Sequence, residues 1–174
     1  LNYKKTNGFG VMLVDTPVKN NRVKWNNFLK KPEIFYRVSE DDKKRLRIAA
    51  KKGVEMMFGS GAKKVMLPSE EPIGPLSRPT FNKKSESKYC EKLKFLPHQT
   101  QLTSAHCQAT VSMGEDHELG ILNSRCESKY IKNLIVCDSS SFPNSCGANP
   151  MVSIMTMARY QGIRIAGELA RYDL

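Results

Sequence analysis

The sequence predicts an α+β fold, and three observations carry that prediction. Two short runs, Arg22 to Phe28 and Ile34 to Val38, alternate apolar and polar residues as antiparallel strands do. Between Ser39 and Gly61 the apolar residues recur at helical spacing. Near the C-terminal end an apolar run passes through a Ser/Pro/Asn/Gly-rich loop into a second helical pattern.

Taken in order, Gly8 to Asp15 is rich in β-formers and predicts a strand closed by a turn at Thr16-Pro17. Asn20-Asn21 marks a second turn. The next strand sets Val23 and Trp25 on one half-buried face, and Ile34 to Val38 repeats the character, so an antiparallel sheet is expected. Ser39 is placed to cap a helix whose first turn is acidic, with Asp42 at the capping-box position usually held by Glu or Gln. Leu46, Ala49, Ala50, Gly53, Val54 and Met57 form its buried stripe, and the pattern stops at Gly59-Ser60-Gly61, where glycine accepts a left-handed terminal residue.

Pro68, Pro72, Pro75 and Pro79, set among Ser and Lys, predict an irregular and mobile surface excursion to about Lys88, with a short helix over Ser87 to Leu96. Residues 115–130, with Gly120 and Asn123, suggest a short β excursion. Leu134 to Cys137 then reads as a buried strand ending at Asp138. After the loop, Asn149 is placed to cap a helix beginning at Pro150, where the missing N–H has no intrahelical partner to lose. The front of that helix offers unpaired N–H groups and a partial positive charge, which favours an anion ahead of Cys146-Gly147-Ala148. Met151, Met155 and Met157 read as core gap-fillers.

With 174 residues the chain can bury one core, with room for a second small lobe. The formal charge of +11 invites a nucleic-acid reading. However, the lysines fall in scattered doublets such as Lys30-Lys31, Lys51-Lys52 and Lys83-Lys84, which is the pattern of a solvated surface, so no nucleic-acid partner is expected. Five cysteines, at positions 90, 107, 126, 137 and 146, make no C-x-x-C pair and no zinc spacing, so no metal is expected. Their odd number favours reduced thiols and an intracellular compartment, an organelle included. No apolar run reaches the length of a membrane span.

Two segments carry chemistry. The first is Thr103-Ser104-Ala105-His106, continuing through Cys107-Gln108-Ala109-Thr110-Val111-Ser112-Met113-Gly114. The second runs Val136-Cys137-Asp138-Ser139-Ser140-Ser141-Phe142-Pro143-Asn144-Ser145-Cys146-Gly147-Ala148-Asn149-Pro150-Met151-Val152-Ser153-Ile154. Together they resemble the C-terminal region of the glucose-methanol-choline (GMC) family of flavin oxidoreductases, in particular its long-chain alcohol oxidase branch. The match of the second segment is long and specific, although Cys146 stands where relatives often have Pro. In the first, His106, Thr110, Met113 and Gly114 match, while Ala109, Val111 and Ser112 stand where the family usually has Gly, Cys and Arg. Gly61-Ala62-Lys63-Lys64-Val65, following the first helix, extends the resemblance back through most of the chain.

The resemblance implies FAD as cofactor and an alcohol as substrate, with a hydride passing from the CH–OH carbon to flavin N5. His106 would be the base and Asn149 the partner that hydrogen-bonds the substrate oxygen. A lone histidine is more often a hydrogen-bonded structural residue, and it is the surrounding match that turns His106 towards catalysis. Asp138, Ser139, Ala148, Asn149, Pro150 and Met151 would face the cofactor, with a turn-capping role open for Asp138. Ser145, Cys146 and Gly147 would lie along the loop near the flavin ring. His98 and His117 are expected on exposed loops, and a Cys107–His106 dyad is not, because adjacent residues of an extended segment point opposite ways.

By the same resemblance, residues 1–100 would form an antiparallel substrate-binding part, residues 101–130 the active-site segment, and residues 131–174 a strand-loop-helix completing a flavin-binding α/β domain supplied mostly by another segment. No Gly-x-Gly-x-x-Gly turn is present and the first residue is Leu, so the chain is expected to be a fragment or split-gene subunit that works with an N-terminal FAD-binding segment, in a larger complex. A degenerate, structural subunit of such an assembly is the alternative that the three departures leave open.

Overall fold

The computed structural model describes residues 5–15, 18, 20–115 and 120–172. It is α+β, with two small antiparallel sheets and two α-helices among the described residues. The strands and helices are β1 (Arg22–Asn26), β2 (Lys31–Phe35), α1 (Glu40–Gly59), β3 (Val65–Met66), β4 (Thr80–Phe81) and α2 (Met151–Gly167). The chain divides into two compact units, Leu1–Leu13 with Val38–Thr103 and Val14–Arg37 with Ser104–Leu174. No helix among the described residues is long and apolar enough to cross a membrane.

In the first unit α1 starts and stops on local chemistry. The Ser39 hydroxyl accepts the Asp42 N–H at 3.0 Å, which caps the helix, and donates to the Asp42 carboxylate at 2.6 Å, so Asp42 holds the capping side chain itself. At the other end Ala62 N–H reaches the Met57 carbonyl and Gly61 N–H the Phe58 carbonyl, with Gly61 at φ +89°. That pair of bonds is a Schellman motif closed by glycine. Val54 joins Val65, Ile73, Phe81, Cys90 and Leu93 in the core. Burial pushes the Cys90 thiol up to about 11, so it packs there as a small neutral apolar group.

The proline-rich stretch is folded, contrary to the mobile excursion expected. Ile73 is fully buried, and so is Glu71, whose carboxylate accepts the N–H groups of Lys94 and Phe95 at 3.1 Å each and the Thr100 hydroxyl at 2.8 Å. Two backbone donors and a hydroxyl replace the water that a buried carboxylate gives up. The helix expected over Ser87 to Leu96 is a 3₁₀ turn at Lys84–Lys92. Residues 8–15 form no strand. Phe9 packs instead against Gly53 of α1, where an added Cβ would stand 3.3 Å from the Phe9 ring. Thr16 and Pro17 lie outside the described residues.

In the second unit β1 and β2 pair antiparallel as expected, with Val23 opposite Ile34 and Trp25 opposite Pro32. The first strand ends at Asn26 rather than Phe28 because the Asn26 side-chain oxygen takes the Phe28 and Leu29 N–H groups at 2.9 and 2.8 Å, forming a turn. Val23 and Trp25 are exposed, not half-buried.

The apolar run Leu134 to Cys137 is not a strand. It makes one antiparallel bridge, Ile135 to Glu127, flanked by hydrogen bonds from Ser128 N to Leu134 O and from Val136 N to Cys126 O. Left-handed residues at Cys126 (φ 60°) and Asn133 (φ 61°) stop the ladder from growing. Leu134 is exposed and Cys137 only partly buried, so neither is the core residue expected. Residues 120–130 likewise carry isolated bridges around the buried Leu122.

Helix α2 is built inside out. Its inner side buries Gln161 at 1% exposure and Arg164 at 9%, while Met151, Val152, Met155, Tyr160 and Ile163 are exposed. The polar inner side is satisfied by a network. Arg164 donates to Gln161 at 2.7 Å, to the Tyr172 hydroxyl at 2.6 Å and to the Arg125 carbonyl at 3.0 Å. Tyr172 in turn donates to Glu127 at 2.8 Å. Met151 and Met155 are therefore not core residues, because the packed face of α2 has been taken by Gln161 and Arg164.

Candidate active site

The segment carrying His106 is irregular, and its position comes from hydrogen bonds to a turn formed by the second motif. Asp138 starts that turn: its side-chain oxygen accepts the Ser140 N–H at 2.7 Å and caps the 3₁₀ residues Ser139–Ser141. The carbonyls of Ser139, Ser140 and Ser141 then accept the N–H groups of Ala109, Val111 and Met113 at 3.3, 2.9 and 2.9 Å. Ala109, Val111 and Met113 are thereby pinned to three consecutive residues of the turn. The first of them, Ala109, sits at φ 63°, a left-handed conformation that glycine adopts without cost.

The loop before α2 is held close to this segment. Gly147 has φ +69°, and a Cβ added there would come within 2.7 Å of Val14, so both conformation and space call for glycine. The Cys146 N–H donates to the side-chain oxygen of Gln108 at 3.2 Å, and the Gln108 amide nitrogen donates to the His106 carbonyl at 3.4 Å. Helix α2 begins at Met151, one residue later than expected, with its first intrahelical bond from Ile154 N to Pro150 O at 2.8 Å. Its N-cap is therefore Pro150 rather than the expected Asn149, whose side-chain oxygen accepts the Met151 N–H at 3.0 Å from the position before the cap. A backbone N–H can only donate, so the oxygen of the Asn149 amide faces the helix and its NH₂ group faces away.

These elements enclose an open cleft of about 320 Å³ lined by Ala105, His106, Cys107, Ser139, Asn149, Pro150, Met151, Ile154 and Met155. Of the candidate residues, His106, Asn149, Ser139, Pro150 and Met151 line it. Asp138 and Ala148 do not, nor do Ser145, Cys146 and Gly147 of the loop. His106 is half-buried and Asn149 exposed. Cys107 shares the cleft, against the expectation that it faces away, and its thiol contacts the Ser104 hydroxyl at 3.4 Å. His98 is exposed, while His117 lies outside the described residues.

The cleft thus brings together an imidazole, an amide donor, a hydroxyl and the start of a 17-residue helix over an apolar floor of Pro150, Ile154 and two methionines. Such a surface can take up a flat, largely apolar ring, donate a hydrogen bond to an oxygen and accept a proton. Among the described residues no group of three or more His, Cys, Asp or Glu could hold a metal ion. Sequence reasoning missed Gln108, Cys107 and Ile154. Gln108 carried no local signal, because its partner Cys146 is 38 residues away.

A family model for the C-terminal region of GMC oxidoreductases matches residues 17–158. Among curated relatives, Long-chain-alcohol oxidase FAO3 of Arabidopsis thaliana is 24% identical over 140 residues, covering 76% of this chain and 19% of that protein. FAO1 of the same plant is 25% identical over 152 residues, covering 76% and 18%, and FAO4B is 26% identical over 145 residues, covering 72% and 18%. The chain spans about a fifth of the length of these relatives. No solved structure matches it.

Proposed function

Because this chain belongs to the GMC oxidoreductase family, whose C-terminal model covers most of its length, we propose that it is the C-terminal part of an FAD-dependent alcohol oxidoreductase, with His106 as base and Asn149 as its partner. The observation that carries this reading is that the two side chains, 43 positions apart in the sequence numbering, line one cleft. FAD, held by residues such as Ser139, Pro150 and Met151, would supply hydride-acceptor chemistry for the alcohol carbon. The chain's own residues do the rest. The His106 imidazole takes the hydroxyl proton, and the Asn149 NH₂ group donates to the oxygen as negative charge develops on it.

Asp138, Ser139, Ala148, Asn149, Pro150 and Met151 would face the cofactor, and of these Ser139, Asn149, Pro150 and Met151 line the cleft. The front of α2 favours negative charge there by about 1 kcal/mol where partly buried. The relatives are long-chain-alcohol oxidases by name, which supports long-chain alcohols as the substrate class. In this reading residues 1–100 contribute the substrate-binding part, 101–130 the active-site segment and 131–174 the portion that completes the flavin-binding domain. An N-terminal FAD-binding segment is the expected partner. The exposed apolar residues Val152, Met155, Tyr160 and Ile163 of α2 support such a partner, since an uncovered row of this kind is costly in water.

The test is made on the protein in its assembled, flavin-loaded form with a long-chain primary alcohol. His106→Ala should lower turnover by about 10²-fold or more while the visible flavin absorbance stays unchanged. An unaltered rate would remove His106 as the base.

A further inference from the structure

Gln108 does not line the cleft, yet it joins the two halves of the site. Its amide accepts the Cys146 N–H at 3.2 Å and donates to the His106 carbonyl at 3.4 Å. On one side of it, Ala109, Val111 and Met113 are tied to the Ser139–Ser141 turn. On the other side stand His106 and, beyond Cys146, the loop that leads to Asn149 and α2. The ladder from Ala109 to Met113 stops short of His106, and the Gln108 amide makes the next connection between the two segments.

We propose that Gln108 is a positioning residue that sets the spacing between the His106 imidazole and Asn149 by clamping the two backbone segments that carry them. The inference rests on the reading of His106 as the base. Only a primary amide suits the task as drawn, because it presents a donor and an acceptor side by side in a fixed plane. Cys146 N–H needs the acceptor and the His106 carbonyl needs the donor. Glutamate at this position keeps the acceptor and, when ionised, loses the donor. Leucine of similar length loses both. A displacement of about 1 Å between two reacting groups can cost about 10²-fold in rate, so a weak clamp can have a large effect on turnover with little effect on stability.

The experiment compares Gln108→Leu and Gln108→Glu with the parent, using the flavin-loaded assembly. In Gln108→Leu, kcat should fall about 10²-fold while KM for the alcohol and flavin content stay within about twofold, and exchange of the Cys146 amide hydrogen should quicken about tenfold or more. In Gln108→Glu the Cys146 amide should stay protected, and kcat relative to the parent at the same pH should rise as pH falls through the carboxyl's range, where the neutral acid regains a donor. Parent-like turnover in Gln108→Leu, or an unchanged Cys146 exchange rate, would overturn the proposal. The exchange measurement does not depend on the reaction. His106→Ala tests the base separately, so a failure of the clamp and a failure of the base are told apart.

Discussion

The side-chain oxygen of Asn149 accepts the Met151 N–H at 3.0 Å, and that single bond decides what the residue can offer to a ligand. With the oxygen committed to the helix, the free end of the amide is a donor. Asn149→Asp should keep the helix front, where a carboxylate is favoured, but replaces the donor with an acceptor and adds charge where an oxygen becomes negative. Turnover is expected to fall about 10²-fold with no loss of thermal midpoint, a cost typical of removing one donor to a developing oxyanion. Asn149→Ala should lose both activity and about 0.5–1.5 kcal/mol of stability, the net worth of one hydrogen bond. Parallel kinetics and thermal melts on the two variants separate the bond to Met151 from the donor role.

Asp138 reaches the site through the turn it caps, so its replacement should act on the His106 segment as well as on cofactor retention. Asp138→Ala frees the Ser140 N–H and is expected to cost about 1 kcal/mol and to lower flavin occupancy. Asp138→Asn retains an equivalent cap. If the charge itself contacts the cofactor, Asn at this position should restore stability without restoring flavin content. Full flavin occupancy in both variants would leave the carboxylate a capping group only.

What could be read from the sequence was local. Ser39, Gly61 and Asn149 act on backbone groups within a few residues, and α1 and the start of α2 followed from them, as the β1–β2 hairpin did from its alternating pattern, to within a few residues; the turn that Asn26 makes at the end of β1 was not read. The misreadings depended on partners far away in sequence. Leu134 to Cys137 has the composition of a buried strand, but strand formation requires a neighbour, and left-handed Cys126 and Asn133 confine the pairing to one bridge. Helix α2 has an apolar pattern that says nothing about which side packs, and the buried Gln161 and Arg164 reverse the expected arrangement. In the site, the matched motifs led to His106 and Asn149, whereas Gln108 acquires its role only once Cys146 is folded against it.

Ala109 stands at φ 63° in the ladder beside the site, where alanine is strained and glycine is not. Ala109→Gly should therefore stabilise the chain, despite the greater freedom that glycine gives the unfolded state. Relief of about 1–2 kcal/mol of left-handed strain exceeds an entropic loss of about 0.5–1 kcal/mol. The net gain, roughly 0.5–1 kcal/mol, would appear as a higher denaturant midpoint with an unchanged slope. A lower midpoint would mean that the alanine methyl makes a compensating contact. Ala109→Val should be strongly destabilising, because a β-branched residue is least able to adopt this conformation.

Glu127 is expected to make the second unit sensitive to acid. Burial alone would raise its carboxyl, but hydrogen bonds from Asn123, Tyr172 and Arg125, with the nearby charge of Arg171, outweigh that and hold it down at about 2, against an ordinary value of 4.5. The folded state thus favours the ionised form more than the unfolded state does, and the stability this confers is fully present above about pH 4.5. It is lost progressively as pH falls towards 2, because the unfolded chain takes up the proton first. Glu127→Gln cannot titrate and leaves Arg164, Arg125 and Tyr172 with a weaker acceptor. That variant should be less stable at neutral pH by about 1–3 kcal/mol, and its disadvantage should shrink steadily between pH 4.5 and 2. Urea unfolding of both proteins across this range measures the difference directly. A gap that stays constant with pH would show that the carboxylate contributes through shape rather than charge.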